Sequence, residues 1–414
     1  MNNEKKLVPK LRFPEFTHAW EQRKLGDLVQ RVVRKNKNLE STLPLTISAQ
    51  YGLVDQNEFF NKVVASRDVS GYYLIKKGEF AYNKSYSNGF PWGTIKRLDL
   101  YPKGVLSTLY ILFKPTNVNS DFLTKYYETT CWHSEISKHA AEGARNHGLL
   151  NIATEDFFKT KLTIPKLDKE QQKIGTFFTA LDRYITIHQR KLENIQKLKK
   201  SLLQKMFPKN DQEFPEIRFP EFTYAWEQRK LNQYIQTSLE KNINNQFSKN
   251  DVLSVSGDVG IVNQIEFQGR SFAGVSVSNY GIVNTGDIVY TKSPLKANPY
   301  GIIKTNKGNP GIVSTLYAVY KPNAHTDSIF VQYYFESDDR LNRYLKPLVN
   351  KGAKNDMKVS DDNALIGLVN FPCYKEQQKI GTFFTALDRY ITIHQRKLEN
   401  MQKLKKSLLQ QMFV

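Results

Sequence analysis

Two stretches of the chain carry apolar residues at alternating steps of four and three, which is the spacing of a heptad seam on one helical face. In the first stretch the seam loses phase near Lys199, because Leu198 sits one place early. Neither Pro nor Gly occurs from Thr176 to Phe207, and Pro208 follows at once. The pattern predicts one continuous helix of about 35 residues, roughly 50 Å long. The seam consists of Ile174, Phe178, Leu181, Ile185, His188, Leu192, Ile195, Leu202 and Met206.

The same stretch returns 206 residues later, and the copies at 170–207 and 376–413 differ only at Ile195/Met401 and Lys205/Gln411. Two near-identical seams in one chain favour pairing of the two helices with each other, in antiparallel directions. The alternative is that each helix packs on its own domain. We expect His188 and His394 to pack in the seam rather than to perform chemistry. The second seam consists of Phe384, Leu387, Ile391, His394, Leu398, Met401 and Leu408.

A shorter repeat opens each half of the chain: "RFPEFTHAWEQRKL" at 12–25 returns at 218–231 with His18 replaced by Tyr224. Between the repeats the similarity weakens, although "GEFAYNKSYSNGFPWGTIK" at Gly78 still matches "GDIVYTKSPLKANPYGIIK" at Gly286. This pattern predicts two domains that share a fold and differ in surface. The predicted boundaries are 1–169 for the first domain, 170–207 for the central helix, 208–375 for the second domain and 376–414 for the final helix.

The segments between the repeats have the composition of short strands. "PLTISA", "YYLIKKGEFAYNKS" and "GVLSTLYILFKP" are rich in β-branched and aromatic residues and are bounded by Gly, Pro and Asn. Helical spacing follows Ser120 and Thr326. The predicted fold class is α+β, with two domains of similar fold joined by two long antiparallel coiled-coil helices. The duplication predicts a pseudo-twofold molecule.

The charge balance narrows the class of partner. Sixty Lys and Arg against forty Asp and Glu leave a formal net charge of +20 and a pI near 9.6. Such a surplus repels itself unless a polyanion neutralises it, so nucleic acid is the first partner to consider. Ribosome-associated and membrane-surface proteins share this composition. The sequence shows no secretory signal pattern and no apolar run of membrane-spanning length, so we expect a soluble, cytoplasmic protein with no membrane partner.

The motifs of common enzymes are missing from the sequence. It contains no G-x-x-x-x-G-K-[S/T] loop to hold nucleotide phosphates. "NPYG" at Asn298 resembles a methyltransferase loop but lacks one proline, which favours a turn. Cys131 and Cys373 form no C-x-x-C pair, and three histidines do not share a helical face as zinc ligands do. We therefore expect no catalytic activity, no metal and no cofactor. The three histidines are His133, His139 and His147.

With its paired "EQQKI" helix starts at Glu170 and Glu376 and its "FPEF" openings at Phe13 and Phe219, the chain resembles the specificity subunit of a type I restriction-modification system. The resemblance covers nearly the whole chain. It implies two target recognition domains, each reading half of a bipartite site in double-stranded DNA, and a helix pair that acts as a ruler. It further implies docking of two methyltransferase subunits on the repeated regions, joined by motor-nuclease subunits.

Two other classes remain open from the residues alone. A coiled-coil adaptor with tandem protein- or RNA-binding domains would share the duplication, and the many Tyr residues allow base stacking on RNA. A stand-alone methyltransferase or nuclease fits less well, because the motifs of both are missing. A comparison of binding to duplex DNA and to RNA separates the first alternative, and a cofactor titration separates the second.

Candidate DNA contacts are basic, amide or hydroxyl residues at matching places in both halves, since such side chains reach phosphates and base edges. At a strand end, "YNKS" matches "YTKS", where we expect the lysines to contact phosphate. "GARNHG" matches "GAKNDM" and predicts a DNA-facing loop with variable reading positions. A third match joins "SAQY" to "SGD". Each of these segments has the alternative of a solvated polar turn. The candidates are Lys84, Ser85, Lys292, Ser293, Arg145, Asn146, His147, Lys354, Asn355, Ser48, Gln50, Tyr51, Ser256 and Asp258. Trp20 and Trp226 are expected in the core rather than at DNA.

Overall fold

The computed structural model describes residues 7–48, 50–85, 89–140, 150, 152–209, 212–295, 298–351 and 357–414. The chain divides into two compact units, one formed by Met1–Gln189 together with Lys397–Val414 and the other by Arg190–Arg396. Each unit therefore contains part of both long repeated helices.

The first unit is built from short strands and helices around one large aromatic core cluster and two smaller apolar clusters. Its strands are β1 (Glu21–Lys24), β2 (Val29–Val32), β3 (Leu45–Ser48), β4 (Gly52–Asp55), β5 (Tyr73–Lys76), β6 (Phe80–Asn83), β7 (Thr94–Arg97), β8 (Lys103–Leu106), β9 (Ile111–Pro115) and β10 (Lys161–Ile164). Its helices are α1 (Leu25–Leu28), α2 (Gln56–Phe60), α3 (Ser120–Tyr126), α4 (His133–His139), α5 (Thr154–Lys159) and the first part of α6 (Asp168–Lys205). An antiparallel sheet of order β2-β9-β6-β7 forms the centre, and the pairs β3-β4, β5-β8 and β1-β10 surround it.

The second unit repeats this plan. Its strands are β11 (Glu227–Lys230), β12 (Ile235–Thr237), β13 (Leu253–Ser256), β14 (Gly260–Asn263), β15 (Gly281–Val283), β16 (Ile288–Thr291), β17 (Ile303–Thr305), β18 (Gly311–Val313), β19 (Tyr317–Pro322), β20 (Asn350–Lys351), β21 (Met357–Lys358) and β22 (Leu368–Phe371). Its α-helices are α7 (Gln264–Gln268), α8 (Ser328–Tyr334), α9 (Asp338–Leu345) and the first part of α10 (Tyr374–Met412). Short 3₁₀ turns lie at Leu231–Gln233, Lys249–Asp251 and Asn363–Leu365. The central sheet has the order β12-β19-β16-β17, which corresponds strand for strand to the first unit. These features confirm the predicted α+β class and the duplication.

The "FPWG" and "NPYG" segments are turns, as the sequence predicts for "NPYG". Gly93 and Gly301 adopt φ values of +77° and +90°. A Cβ added at Gly93 would lie 2.2 Å from the carbonyl oxygen of Asn83, and one at Gly301 would lie 1.9 Å from that of Thr291. Glycine is thus required at both places, because any side chain would collide with backbone.

In the first unit the start of α6 packs against the end of α10. The rings of Phe178 and Phe413 lie 6.0 Å apart, and Asp182 pairs with Lys405 at 2.6 Å. The partner position falls along α10 as the position rises along α6, so the two helical segments are antiparallel. The alternative also holds in part, since Phe178 lies in the core of the domain that precedes α6.

In the second unit the end of α6 packs against the start of α10 in the same way. The rings of Phe207 and Phe384 lie 6.0 Å apart, and Lys199 pairs with Asp388 at 2.7 Å. The predicted antiparallel pairing is confirmed in both units. Each long helix ends in the core of the unit that does not contain its start, because Phe413 belongs to the first core and Phe207 to the second.

All fourteen seam residues proposed for the pair are buried or half-buried. The phase shift near Lys199 has a structural reason: Leu198 is 54% exposed, and Lys199 takes the seam position as part of a half-buried ion pair with Asp388. His188 and His394 are half-buried, with ring centroids 4.3 Å from Tyr184 and Tyr390 respectively. These fourteen residues are Phe178, Leu181, Ile185, His188, Leu192, Ile195, Leu202, Phe384, Leu387, Ile391, His394, Leu398, Met401 and Leu408.

Candidate nucleic-acid interface

The β3-β4 and β13-β14 hairpins present the most similar pair of candidate surfaces. Ser48 is buried, and its Oγ accepts a hydrogen bond from the backbone N–H of Tyr51 at 3.2 Å. Ser256 does the same for the N–H of Asp258 at 3.3 Å. Each serine therefore shapes its turn rather than facing a ligand.

The residues next to these serines are exposed and differ between the units. Gln50 is exposed and Tyr51 is 68% exposed, whereas the second hairpin presents Asp258 and Val259. An amide and a phenol in the first unit thus stand at the positions of a carboxylate and an aliphatic side chain in the second. The two tips share a backbone and offer different hydrogen-bonding groups, which is what reading two different base sequences requires.

The short helix after each hairpin was missed by the sequence reasoning. Asp55 caps α2 by accepting from the N–H of Asn57 at 2.8 Å, and Asn263 caps α7 by accepting from that of Ile265 at 2.9 Å. These caps fix the helices beside the hairpins. The helices and the residues after them expose Phe59, Phe60, Val63, Phe267, Phe272 and Val275. Lys62 and Arg270 interleave with these apolar groups, and that mixture was the available sequence signal.

The two matched lysines make internal contacts. Lys84 Nζ donates to the carbonyl of Ile152 at 3.4 Å, and Lys292 Nζ pairs with Asp361 at 2.8 Å. Both side chains are half-buried. A phosphate contact by Lys292 would thus compete with a carboxylate already in place. The adjacent hydroxyl residues lie in turns: the N–H of Ser85 donates to Asn83, and the carbonyl of Ser293 accepts from Thr291.

The third candidate loop lies outside the described residues in both units, and it includes Arg145, Asn146, His147, Lys354 and Asn355. Its flanks are described. The N–H of Leu150 donates to the carbonyl of Lys84 at 3.0 Å, so the end of the first loop meets the "YNKS" segment. In the second unit, β20 and β21 pair antiparallel on either side of the corresponding segment.

The two repeated segments that frame each domain contact each other. Arg12 binds Glu170 through two hydrogen bonds of 2.7 and 2.8 Å, and Trp20 Nε1 donates to the same carboxylate at 3.2 Å. Glu170 is only 1% exposed. A buried carboxylate requires a cationic partner to offset its lost hydration. Arg12 of the opening segment and Glu170 of the helix start therefore depend on each other. Trp20 is buried as predicted.

The second frame repeats the arginine–carboxylate pair but not the indole hydrogen bond. Arg218 binds Glu376 through hydrogen bonds of 2.8 and 2.7 Å, whereas Trp226, buried as predicted, makes no hydrogen bond through its Nε1 to any residue that the structure describes. Arg218 also donates to the backbone carbonyl of Tyr224, and Arg12 donates to that of His18. Because each arginine contacts only the backbone carbonyl, the replacement of His18 by Tyr224 leaves this hydrogen bond in place.

A charge cluster joins each long helix to the domain of the other half. In the first unit Lys405 lies 2.7 Å from Glu128 and 2.6 Å from Asp182, and Lys125 contacts both carboxylates. Burial alone would raise the pKa of Glu128, but the ammonium groups of Lys125 and Lys405 outweigh it, and the pKa lies below its usual value. Burial lowers the pKa of nearby Lys96.

The second unit repeats this cluster with one substitution. Lys199 lies 2.7 Å from Asp388 and 3.6 Å from Glu336, and Lys304 pairs with Glu336 at 2.8 Å. Tyr333 stands where the first unit has Lys125, and its hydroxyl donates to Asp388 at 2.8 Å. Burial raises the pKa of Tyr333, so it remains a neutral donor.

Within the described ranges, no group of three or more His, Cys, Asp or Glu side chains could hold a metal ion. The same residues include no helix long and apolar enough to cross a membrane.

Comparison with known proteins identifies relatives of this fold. Residues 18–197 match the family described as the type I restriction modification DNA specificity domain. The MjaVIII type I restriction enzyme specificity subunit of Methanocaldococcus jannaschii is 22% identical, over 96% of this chain and 92% of that protein. The putative MjaX specificity subunit of the same organism is 22% identical, over 95% and 93% respectively. The S subunit structure from M. genitalium has a TM-score of 0.57 at 14% identity, covering 98% of this chain and 99% of that one. That structural likeness shows a shared fold.

Proposed function

Because the chain belongs to the specificity subunits of type I restriction-modification systems, whose role is DNA recognition without catalysis, we propose that each unit reads one half of a bipartite duplex site. The observation that carries this proposal is the contrast between the hairpin tips. Ser48 and Ser256 support the same turn in the two units. The exposed Gln50 and Tyr51 of the first hairpin correspond to Asp258 and Val259 of the second. Two hairpins that share a backbone conformation and expose different side chains recognise two different half-sites.

Reading by base edges also requires phosphate contacts to set register. The +20 charge supplies the general attraction. Lys84 and Lys292 remain our candidates for phosphate, and Lys292 would exchange Asp361 for a DNA oxygen. Arg145 and Lys354, with the neighbouring Asn146 and Asn355, remain candidates, although they lie outside the described residues.

We assign the spacing of the two half-sites to the long helices. α6 has 38 residues and α10 has 39, and each contributes to both units. A helix of that length measures roughly 57 Å at 1.5 Å per residue, which corresponds to about 17 base pairs at 3.4 Å. Base pairs between the half-sites would be left unread, and their number would follow the helix length.

We assign the docking of two methyltransferase subunits to the frames, and we expect motor-nuclease subunits to join them on cytoplasmic DNA. The frames support this because they offer the same surface twice: Lys173 pairs with Glu15 in the first unit, and Lys379 pairs with Glu221 in the second. Identical surfaces suit two copies of one partner, while the hairpin tips have diverged.

The proposal is tested by selecting bound duplexes from a random library, using the chain together with its methyltransferase partner at fixed salt. We expect two short blocks of fixed sequence separated by a gap of constant length. A parallel selection from random single-stranded RNA serves as the comparison. A single continuous block, enrichment of RNA alone, or no enrichment would contradict the proposal.

A further inference from the structure

The second unit contains a cavity of about 870 Å³ that is bounded by the end of α6, by β11, by α8 and α9, and by β22. Its walls carry four cationic side chains and one carboxylate, which are Lys205, Lys209, Arg340, Arg343 and Asp339. None of the candidate DNA contacts lines this cavity. Its charge is therefore not explained by the proposed reading of DNA at the hairpin tips.

Arg340 lies at the inner wall of the cavity. Its guanidinium donates to the backbone carbonyls of Tyr334 at 2.7 Å and Leu203 at 3.2 Å, and it lies 4.7 Å from the ring of Phe207. Burial lowers the pKa of Arg340, which shows that its charge is partly dehydrated. An anion in the cavity would offset this desolvation.

The remaining charges do not cancel within the protein. Asp339 pairs with Arg343, and Glu216 pairs with Lys209. Four cations less these two carboxylates leave a net charge of +2 around the cavity. A phosphate monoester carries about −1.5 to −2 at neutral pH, so its charge matches.

Part of the cavity charge is specific to the second unit. Helix α4 begins at His133 and α9 at Asp338, so the two helices align with an offset of 205 residues, which places Glu135 at the position of Arg340 and Lys138 at that of Arg343. Gln411 corresponds to Lys205, which is one of only two differences between the long repeats. Two of the cations, Lys205 and Arg340, thus correspond to an amide and a carboxylate in the first unit. A general requirement of the fold would have affected both units alike.

We propose that this cavity binds a phosphate group. The guanidinium of Arg340 keeps N–H groups beyond its two backbone hydrogen bonds, and together with the neighbouring cations it supplies the positive charge that phosphate oxygens require. The volume falls within the range of small-molecule sites, so a nucleotide fits as well as a single phosphate. Gln204 and Gln228 add neutral donors and acceptors to the wall. The phosphate comes either from a free nucleotide or from the backbone of bound DNA.

The test is calorimetric titration of the full chain with inorganic phosphate and, separately, with ATP. The double variant Lys205→Gln/Arg343→Gln removes two exposed cations and leaves Arg340 and the core intact. The double variant Arg389→Gln/Lys403→Gln removes the same charge at exposed positions outside the cavity. We expect one site per chain, weakened about tenfold or more in the cavity variant and unchanged in the control. Displacement of ATP by a short duplex would assign the phosphate to DNA, and retention would assign it to a nucleotide.

Three results would overturn the proposal. The first is the lack of saturable binding of either probe at concentrations up to about 10 mM, far above the range of specific ligands. The second is equal weakening in both double variants, which would indicate general attraction to a basic protein. The third is loss of methyltransferase binding in the cavity variant without binding of either probe, which would make the cavity a protein contact.

Discussion

The carboxylate of Asp182 forms an ion pair with the ammonium group of Lys405 at 2.6 Å, and this pair links the start of α6 to the end of α10. Asp388 and Lys199 form the equivalent pair at 2.7 Å in the second unit. The four residues come from the two copies of one repeated segment, so a single sequence supplies both the donor and the acceptor. The repeat is therefore complementary to itself when its copies run in opposite directions.

Replacing Lys405 with Met should destabilise the first unit by roughly 2 kcal/mol, because Glu128 and Asp182 lose a shared partner in a poorly hydrated site. Lys199→Met should do the same in the second unit. Urea unfolding measures both changes. Lys159→Met removes an exposed lysine and should leave stability nearly unchanged. Equal losses of unfolding free energy in all three variants would show that the charge cluster does not stabilise the packing of the two helices.

The same cluster predicts a dependence on pH. The pKa of folded Glu128 lies below its unfolded value of 4.5, so its contribution to stability is complete above that pH. The contribution is lost as the pH falls below 4.5 and through the folded pKa. Glu128→Gln should thus lower stability at pH 7 and reduce the further loss on acidification. Parallel urea curves at pH 7 and at pH 4 measure the difference. An unchanged acid sensitivity in the variant would contradict the assignment.

Glu170→Gln should destabilise the first unit by about 2 kcal/mol, since an amide cannot accept both hydrogen bonds from Arg12 as a charged partner does. Glu376→Gln is the matched variant for the second unit. Trp226 is the only tryptophan from Arg190 to Arg396, so its signal in the fluorine NMR spectrum of protein labelled with fluorotryptophan reports on that unit without removal of the other tryptophans. We expect this signal to shift for Glu376→Gln more than for Glu170→Gln. The reverse order would be inconsistent with the frame contacts.

Much of this architecture could be predicted from the pattern of the chain. The seam residues, the antiparallel pairing, the turn at Asn298 and the burial of Trp20 all follow from local spacing or from the repeat. The contact of Arg12 with Glu170 could not be predicted, because a single sequence does not show which distant charges meet. The structure shows that the opening repeat and the long-helix repeat meet each other through this contact.

The candidate site was less predictable. Lys84 and Lys292 fall at matching places, and that similarity suggested phosphate contact. Their ammonium groups bind Ile152 and Asp361 within the protein, so a structural reason for the match exists as well. Ser48 and Ser256 likewise match because they support a turn. Similar residues in the two halves report mainly on the shared fold, and the differing neighbours such as Gln50 and Asp258 carry the specificity that we propose.

Adding seven residues to both long helices should lengthen the unread gap. Insertions in phase after Glu193 and after Glu399 preserve both seams and extend each helix by about 10 Å, or roughly three base pairs. Site selection with the methyltransferase partner measures the gap. The control inserts two residues at each place, which rotates the following part of each seam by about 200° and should abolish binding. An unchanged gap in the seven-residue variant would refute the ruler.

The central claim is that each unit reads its own half-site through its own hairpin tip, and the most direct measurement is site selection with the variant Gln50→Ala/Tyr51→Ala. Loss of these contacts should remove about 1–3 kcal/mol of base discrimination. We predict relaxed sequence preference in one half-site, with the other half-site and the gap unchanged. Relaxation of both half-sites together, or of neither, would contradict the claim.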